Sequence, residues 1–234
     1  TDKTGTLTEG SVKIEATCTI DKTHSEEVKQ MAFYNAFFES GYPNPMDEAI
    51  KRDCLCGAEG VEKIDEVPYD FLRKRLSVVI KKDTHHLMIT KGAFKNVLDV
   101  CSHIKNSDGE IIEKTQLSEK IKKKHEEISA DGYRTIGLAI KDITDDPVIT
   151  KEDEENLIFI GFILLRDPLK QGIPEVIQDL REKSIELKII SKKSKIPSDY
   201  DRDFFVYKQK KDIHDNVAPH NELPPEIPRD DNQD

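Results

Sequence analysis

Apolar positions along the chain recur with more than one period. Between Ser25 and Ser40 the spacing is helical: Val28, Met31, Ala32, Asn35 and Phe38 fall on one face. Ser25 suits the N-cap, Glu26 and Glu27 occupy the first turn, and Gly41 ends the run. Leu76 to Ile80 and Leu87 to Thr90 are β-rich and are separated by the polar stretch Lys81 to His86, which predicts a hairpin. Ala93 to Cys101 predicts a short helix with Val97, Leu98 and Cys101 inward. Ser118 to Ala130 predicts a second, very polar helix stopped by Asp131-Gly132, and Arg134 to Ile140 returns as a strand. Together these elements predict an antiparallel sheet flanked by helices.

The pattern then changes. Leu157 to Leu164 is continuously apolar, as in a strand buried on both faces. Pro168 breaks the run, and Pro174 with Glu175 sits where a helix begins, with Val176, Ile177 and Leu180 as its stripe. Ile185 to Ile190 supplies a further strand. Strand, helix and strand in that order predict a βαβ unit of a parallel sheet with a right-handed crossover. Beyond about residue 192 the chain is polar and carries Pro219, Pro224, Pro225 and Pro228, a composition that predicts disorder. Only Phe204 to Tyr207 is suited to dock on the body. The regions are therefore 1–14, a loop motif with a short strand-like stretch; 15–156, mixed helices and strands; 157–191, the βαβ; and 192–234, the disordered tail.

Composition narrows the functional classes. The 234 residues leave room for one or two domains with a proper core. Charged residues make up 35% and hydrophobic ones 36%, with no Trp, so a well-solvated surface is expected. A formal charge of -10 opposes non-specific nucleic-acid binding, which needs a basic face. The polar opening TDKTGT is no signal peptide, and the run Leu157 to Leu165 is about half of what a spanning helix requires. No membrane span is expected in this chain, which should be soluble and cytoplasmic. Cys18, Cys54, Cys56 and Cys101 are irregularly spaced and read as reduced thiols. The Cys54–Cys56 pair lacks a partnering cluster and reads as packing. His85 and His86 lie in the hairpin turn, and the other histidines lack partners at ligand spacing.

The segment Asp2-Lys3-Thr4-Gly5-Thr6-Leu7-Thr8 carries the chemistry. A carboxylate is a weak nucleophile, but beside a magnesium ion it can attack phosphorus and form an acyl phosphate. Lys3 adds positive charge, Thr4 and Thr6 offer hydroxyls to phosphate oxygens, and Gly5 lets the backbone approach closely. This motif resembles the phosphorylation loop of P-type ATPases, members of the haloacid-dehalogenase-like superfamily. The resemblance implies that Asp2 accepts the γ-phosphate of ATP, with Lys3 and Thr4 catalytic and Asp2 and Thr4 near Mg2+. It also implies an α/β and α+β fold. An antiparallel-sheet nucleotide-binding domain flanked by helices is inserted in an incomplete Rossmann-like parallel-sheet phosphorylation domain. The likeness covers roughly residues 1–190.

Within the insertion, Asp70-Phe71-Leu72-Arg73-Lys74-Arg75-Leu76-Ser77-Val78 sets an aromatic before three cations and a β-run. That order suits a purine face and its phosphates, and equally a core Phe before a solvated turn. The resemblance favours the first and makes Phe71 the adenine-stacking residue, with Arg73 beside it. Lys91-Gly92-Ala93 is similar to the family's KGA signature at the mouth of the ATP pocket. Asn44-Pro45-Met46-Asp47-Glu48 resembles the short helix whose acid meets the adenine amino group; Asp47 is the aligned acid and Glu48 its competitor. Arg134 matches the arginine that pairs with phosphates. Asp167-Pro168-Leu169-Lys170 resembles the hinge motif, with Asp167 meeting either the ribose or the hinge backbone. The stretch Asn35 to Gly41 looks most like magnesium-transporting members, with calcium and proton pumps as runners-up.

The departures are equally specific. Where the family reads Thr-Gly-Asp, Ser191 is followed by Lys192-Lys193-Ser194, and the Gly-Asp-Gly-x-x-Asn-Asp magnesium motif does not occur. Phosphoryl transfer relies on positioned cations and donors, so the chain is expected to be a fragment without turnover of its own. Its partners would be ATP and the membrane and actuator domains of a pump. A soluble phosphatase of the same superfamily would need an acid where Thr4 stands, and a non-catalytic interaction module is the remaining alternative.

Overall fold

The computed structural model describes residues 1–2, 5–21, 24–41, 44–144, 147–185, 187–190 and 206–208. Within them the chain runs β1 (Lys13–Cys18), α1 (Glu26–Phe38), α2 (Pro45–Asp53), β2 (Val61–Asp70), β3 (Arg75–Lys82) and β4 (His85–Ala93). It continues through α3 (Phe94–Asp99), β5 (Cys101–Lys105), β6 (Ile111–Glu113), α4 (Lys114–Ala130) and β7 (Arg134–Ile143). A 3-10 turn at Lys151–Asp153, β8 (Leu157–Arg166), α5 (Ile173–Glu182), β9 (Lys188–Ile190) and β10 (Val206–Lys208) complete it. Ser25 caps α1 as expected, accepting from the Val28 N–H. The expected hairpin is β3–β4, turned at Asp83, whose φ of 56° the tight reversal requires.

One eight-stranded sheet has the order β2-β3-β4-β7-β8-β5-β6, with β1 against β8. Its pairings are antiparallel apart from β5 with β8. β7 takes one edge of β8, while β5 and β1 share the other, β5 beside Leu157 and Phe159 and β1 beside Phe162 to Arg166. Helices α1 and α2 cover one face over Val78, Ile89, Leu138 and Ile163. Helices α3 and α4 cover the other over Phe159 and Phe162.

The placement of β8 corrects the expectation for Leu157–Leu164. The strand is buried on both faces, but it lies in the large, chiefly antiparallel sheet and does not open a βαβ unit with β9. An apolar run reports that both faces are covered and is silent about the direction of its neighbours. β9 pairs in parallel with β10, which accounts for Val206 and Tyr207 of the stretch suited to dock; Phe204 and Phe205 lie outside the described residues. Beyond that pair, the described residues contain no Rossmann-like parallel sheet. The disorder expected of 192–234 likewise falls outside them, save for β10. No helix of the described residues is long and apolar enough to cross a membrane.

β8 serves both cores by changing parity. Leu157, Phe159, Phe162 and Leu164 face α3 and α4, while Ile160, Ile163 and Leu165 face α1 and α2. The switch is a bulge: Leu138 pairs with Gly161 and Ala139 with Phe159, leaving one extra β8 residue. A Cβ on Gly161 would stand 2.2 Å from the Cys18 carbonyl oxygen and 2.8 Å from Val28 Cγ2. Glycine here lets β1 and α1 close on β8. Gly161→Val is expected to cost about 2–3 kcal/mol through overpacking. Urea unfolding should show a lowered midpoint at unchanged slope; an unchanged midpoint would contradict this closure.

Candidate functional site

The turn between β2 and β3 is built by Asp70. Its Oδ1 accepts from the Leu72 N–H at 2.6 Å and the Arg73 N–H at 3.0 Å, and its carbonyl accepts from Lys74 at 2.6 Å. The Ala93 N–H donates to the Lys74 carbonyl at 2.9 Å, tying the turn to the end of β4. Gly92 permits that approach, since a Cβ there would lie 2.4 Å from the same oxygen. Phe71 is turned outward and is 86% exposed, with the Tyr69 ring against it at 5.4 Å and 90°. The core-Phe alternative is thereby excluded.

Behind β4 lies a buried ion cluster. Fully buried Asn35 of α1 donates to the Ile89 carbonyl at 2.8 Å, which registers α1 on β4 and sets Glu39, the C-cap, over Lys91. The buried Lys91 ammonium bonds the Asp47 carboxylate and lies 3.5 Å from Glu39 Oε2. Asn44 caps α2, accepting from Met46 and Asp47 N–H groups at 3.0 Å each, and its amide donates to Asp47 Oδ2. Exposed Glu48 pairs with Lys51 instead, so Asp47 is the acid that faces Lys91. Burial pushes the Glu39 carboxyl up to about 7, aided by Asp47 and opposed by Lys91. Burial also pushes Asp47 upward, but the Lys91 charge and hydrogen bonds with Glu39, Lys91 and Asn44 outweigh it and hold Asp47 low.

The sheet register collects the expected residues at one end. Asp70 pairs with Arg75, Arg75 with Gly92, and Ala93 with Ile136, two residues from Arg134 at the start of β7. Arg134 is exposed and has the parity of Ile136 and Leu138, which face α1 as Lys91 does. It lies about 13 Å along β7 from Leu138, the partner of Lys91. Arg73 is differently employed. Its guanidinium bonds the buried Glu154 carboxylate and, at 2.7 Å, the Pro68 carbonyl. Glu154 escaped the sequence reading because it stands in a run of acids, Glu152 to Glu155, with nothing local to single it out.

Asp167 joins two segments of the chain. Its Oδ2 accepts from the Thr8 hydroxyl at 2.6 Å and its Oδ1 from the Gly10 N–H at 3.0 Å. Glu9 N–H to the Pro168 carbonyl (2.8 Å) and Lys170 N–H to the Leu7 carbonyl (2.9 Å) complete the crossing of the two segments. Asp2 is exposed, and the Thr1 nitrogen lies 2.7 Å from the Lys188 carbonyl, so this segment runs beside β9. Lys3 and Thr4 lie outside the described residues. Among the described residues no three His, Cys, Asp or Glu side chains converge as a metal site. Burial pushes the Cys54 thiol up to about 11 and the Cys101 thiol up to about 12, as suits packing residues.

A family model described as "P-type ATPase, cytoplasmic domain N" matches residues 48–172. The "Magnesium-transporting ATPase, P-type 1" of Escherichia coli K12 is 32% identical over 204 residues, 84% of this chain and 23% of the relative. A protein of that name from Salmonella typhimurium LT2 is 30% identical over 205 residues, 82% and 22% of the two chains. The "Calcium-transporting ATPase PAT1" of Dictyostelium discoideum is 30% identical over 132 residues, 56% of this chain and 12% of the relative. The chain thus spans under a quarter of the length of these relatives.

The ion cluster predicts a pH dependence. Unfolded, Glu39 releases its proton near 4.5; folded, near about 7. Between these values the native state holds the extra proton, so stability falls as pH rises through the window. Asp47 acts in the opposite sense, but below its ordinary 3.8. Glu39→Gln should flatten the slope between about pH 4.5 and 7 in urea unfolding. A slope identical to that of the unsubstituted chain would show that Glu39 is not held protonated.

Proposed function

The chain belongs to the P-type ATPase family, carrying its cytoplasmic domain N, and from that premise we propose that it binds an adenine nucleotide at the sheet end bearing Phe71, Lys91 and Arg134. The carrying observation is the ring of Phe71, held outward by the Asp70 turn where β3, β4 and β7 bring Arg75, Gly92 and Arg134 together.

An exposed aromatic that the backbone presents rather than buries is suited to a purine face. Asp47 supplies an acceptor for the exocyclic amino group, and Lys91 neutralises that acceptor inside the protein. Arg134, exposed at the start of its strand, is a cation free of the interior that can meet phosphates. Arg73 contributes as wall, its guanidinium being committed to Glu154. Gly92 contributes by absence of a side chain.

For the family's wider activity, the reading is ATP-driven cation transport through an aspartyl phosphate on Asp2, in company with membrane and actuator parts and Mg2+. The names of the bacterial relatives make magnesium the first ion to test. The contrary readings, a soluble phosphatase and a non-catalytic module, gain nothing from the family match.

Titration with a fluorescent ATP analogue, competed by ATP and by adenosine, tests the proposal. Phe71→Ala should weaken both competitors about tenfold or more, the value of one base–aromatic stack. Arg134→Ala should weaken ATP while leaving adenosine unchanged. Absence of saturable binding, or affinities indifferent to both substitutions, would defeat the assignment.

A further inference from the structure

We propose that Glu154 is a positioning residue for the Phe71 turn: its buried carboxylate anchors Arg73 and Arg75 and, through them, fixes the direction in which Phe71 leaves the sheet. The functional meaning of this rests on the nucleotide reading above; the anchoring itself does not.

The Glu154 side chain is fully buried, which requires its charge to be matched on the spot. Oε2 accepts from Arg73 Nη1 and, at 2.8 Å, from Arg75 Nε. Oε1 accepts from the Ser77 hydroxyl at 2.7 Å. With the Ser77 hydrogen so engaged, the Thr90 hydroxyl is the donor in the 2.8 Å contact between Ser77 and Thr90. One carboxylate therefore gathers donors from the turn, from β3 and, through Ser77, from β4, on the sheet face opposite Lys91.

An anchor must itself be fixed, and this one is. Thr150 and Asp153 form a reciprocal capping box just ahead of Glu154. Lys141 of β7 donates to the carbonyls of Asp153 and Glu155 at 3.0 Å each, gripping the chain on both sides of Glu154. The Ile149 N–H donates to Asp65 Oδ2 at 2.8 Å, joining the same segment to β2.

The turn, by contrast, has little hold of its own. Phe71 and Leu72 are 86% and 89% exposed, and the Asp70 bonds are internal to the turn. The turn is tied outward through the Lys74 carbonyl to Ala93 and through the guanidinium of Arg73. Arg73 also bonds the Pro68 carbonyl, so Glu154 holds both stems at once. Removing the charge at 154 would leave two guanidinium groups sharing a neutral acceptor, and the turn would lose its rearward anchor.

The chain contains no Trp, so Phe71→Trp gives a single reporter on the turn, and Leu55→Trp gives a control on another exposed site. In the full chain, Glu154→Gln should lower the time-resolved anisotropy of Trp at 71 toward that of a flexible loop and leave Trp at 55 unchanged. Glu154→Asp, which keeps the charge but withdraws it by one methylene, should give a partial fall; it also serves if the Gln variant yields too little folded protein. With far-UV circular dichroism unchanged, an anisotropy at 71 indifferent to both substitutions overturns the proposal. So does an equal fall at 55, which marks general loosening. Competition by ATP then links anchoring to binding: Glu154→Gln should weaken ATP about tenfold, and by no further factor when Phe71→Ala is already present. Equal weakening in both backgrounds overturns the link through Phe71. If no variant or parent binds ATP, the nucleotide reading fails while the anisotropy still decides the anchor.

Discussion

A charge taken out of water must be neutralised where it stands, and at one end of this sheet that demand is met on both faces. On the α1 side, Lys91 is closed by Asp47 and Glu39. On the other side, Glu154 is closed by Arg73 and Arg75. Loss of the shared member, Lys91 on one face or Glu154 on the other, would leave charges of one sign buried without their counter-charge. The consequence is positional. Lys91 lies directly across from Leu76, and Arg75 across from Gly92, so two ion clusters pin adjacent rungs of the β3–β4 ladder from opposite faces. Whatever binds beside Phe71 meets a surface whose backing is fixed by electrostatics rather than by apolar packing.

The same arrangement explains why buried polar residues occur in an otherwise apolar sheet. Ser77 and Thr90 are fully buried in mid-strand, where Val or Ile would pack better. The Ser77 hydroxyl donates to Glu154, and the Thr90 hydroxyl donates in turn to Ser77. Likewise Asn35, on the inner face of α1, exchanges apolar packing for a hydrogen bond to the Ile89 carbonyl, which sets where Glu39 falls.

What the sequence made legible was local. The Ser25 cap, the β3–β4 hairpin, the Pro174 start of α5 and the double-sided burial of Leu157–Leu164 follow from near-neighbour chemistry. The pairing of β8 did not, because direction and partner depend on segments up to about a hundred and fifty residues away, as in the pairing of Cys18 with Phe162. β2 was hidden by its charged, Pro-containing sequence, which an edge strand with register shifts accommodates. In the site, the residues around Phe71 left a purine face and a core ring equally open, and its exposure came only from the structure, while Glu48 was separated from Asp47 only once Lys91 could be seen facing the latter. Glu154 carried no local signal: four acids in a row look alike, and burial alone distinguishes one.

The topology bears on how binding would be communicated. β8 runs antiparallel to β7, so its last residues lie beside Arg134, and β1 begins there too, with Lys13 across from Arg166. The two segments that leave this end, residues 5–10 and 167–170, are laced by Asp167, Pro168 and Lys170. Phe71, Lys91 and Arg134 stand at that same end. On the proposed reading, a nucleotide gripped by the sheet would therefore sit next to the paired strands of chain that lead to Asp2, and not at the far edge. A rigid backing favours that use: if the turn carrying Phe71 yielded freely, binding energy would be spent in ordering it. On that reading, the Glu154 cluster holds the turn in advance and leaves the energy of contact with the base for binding.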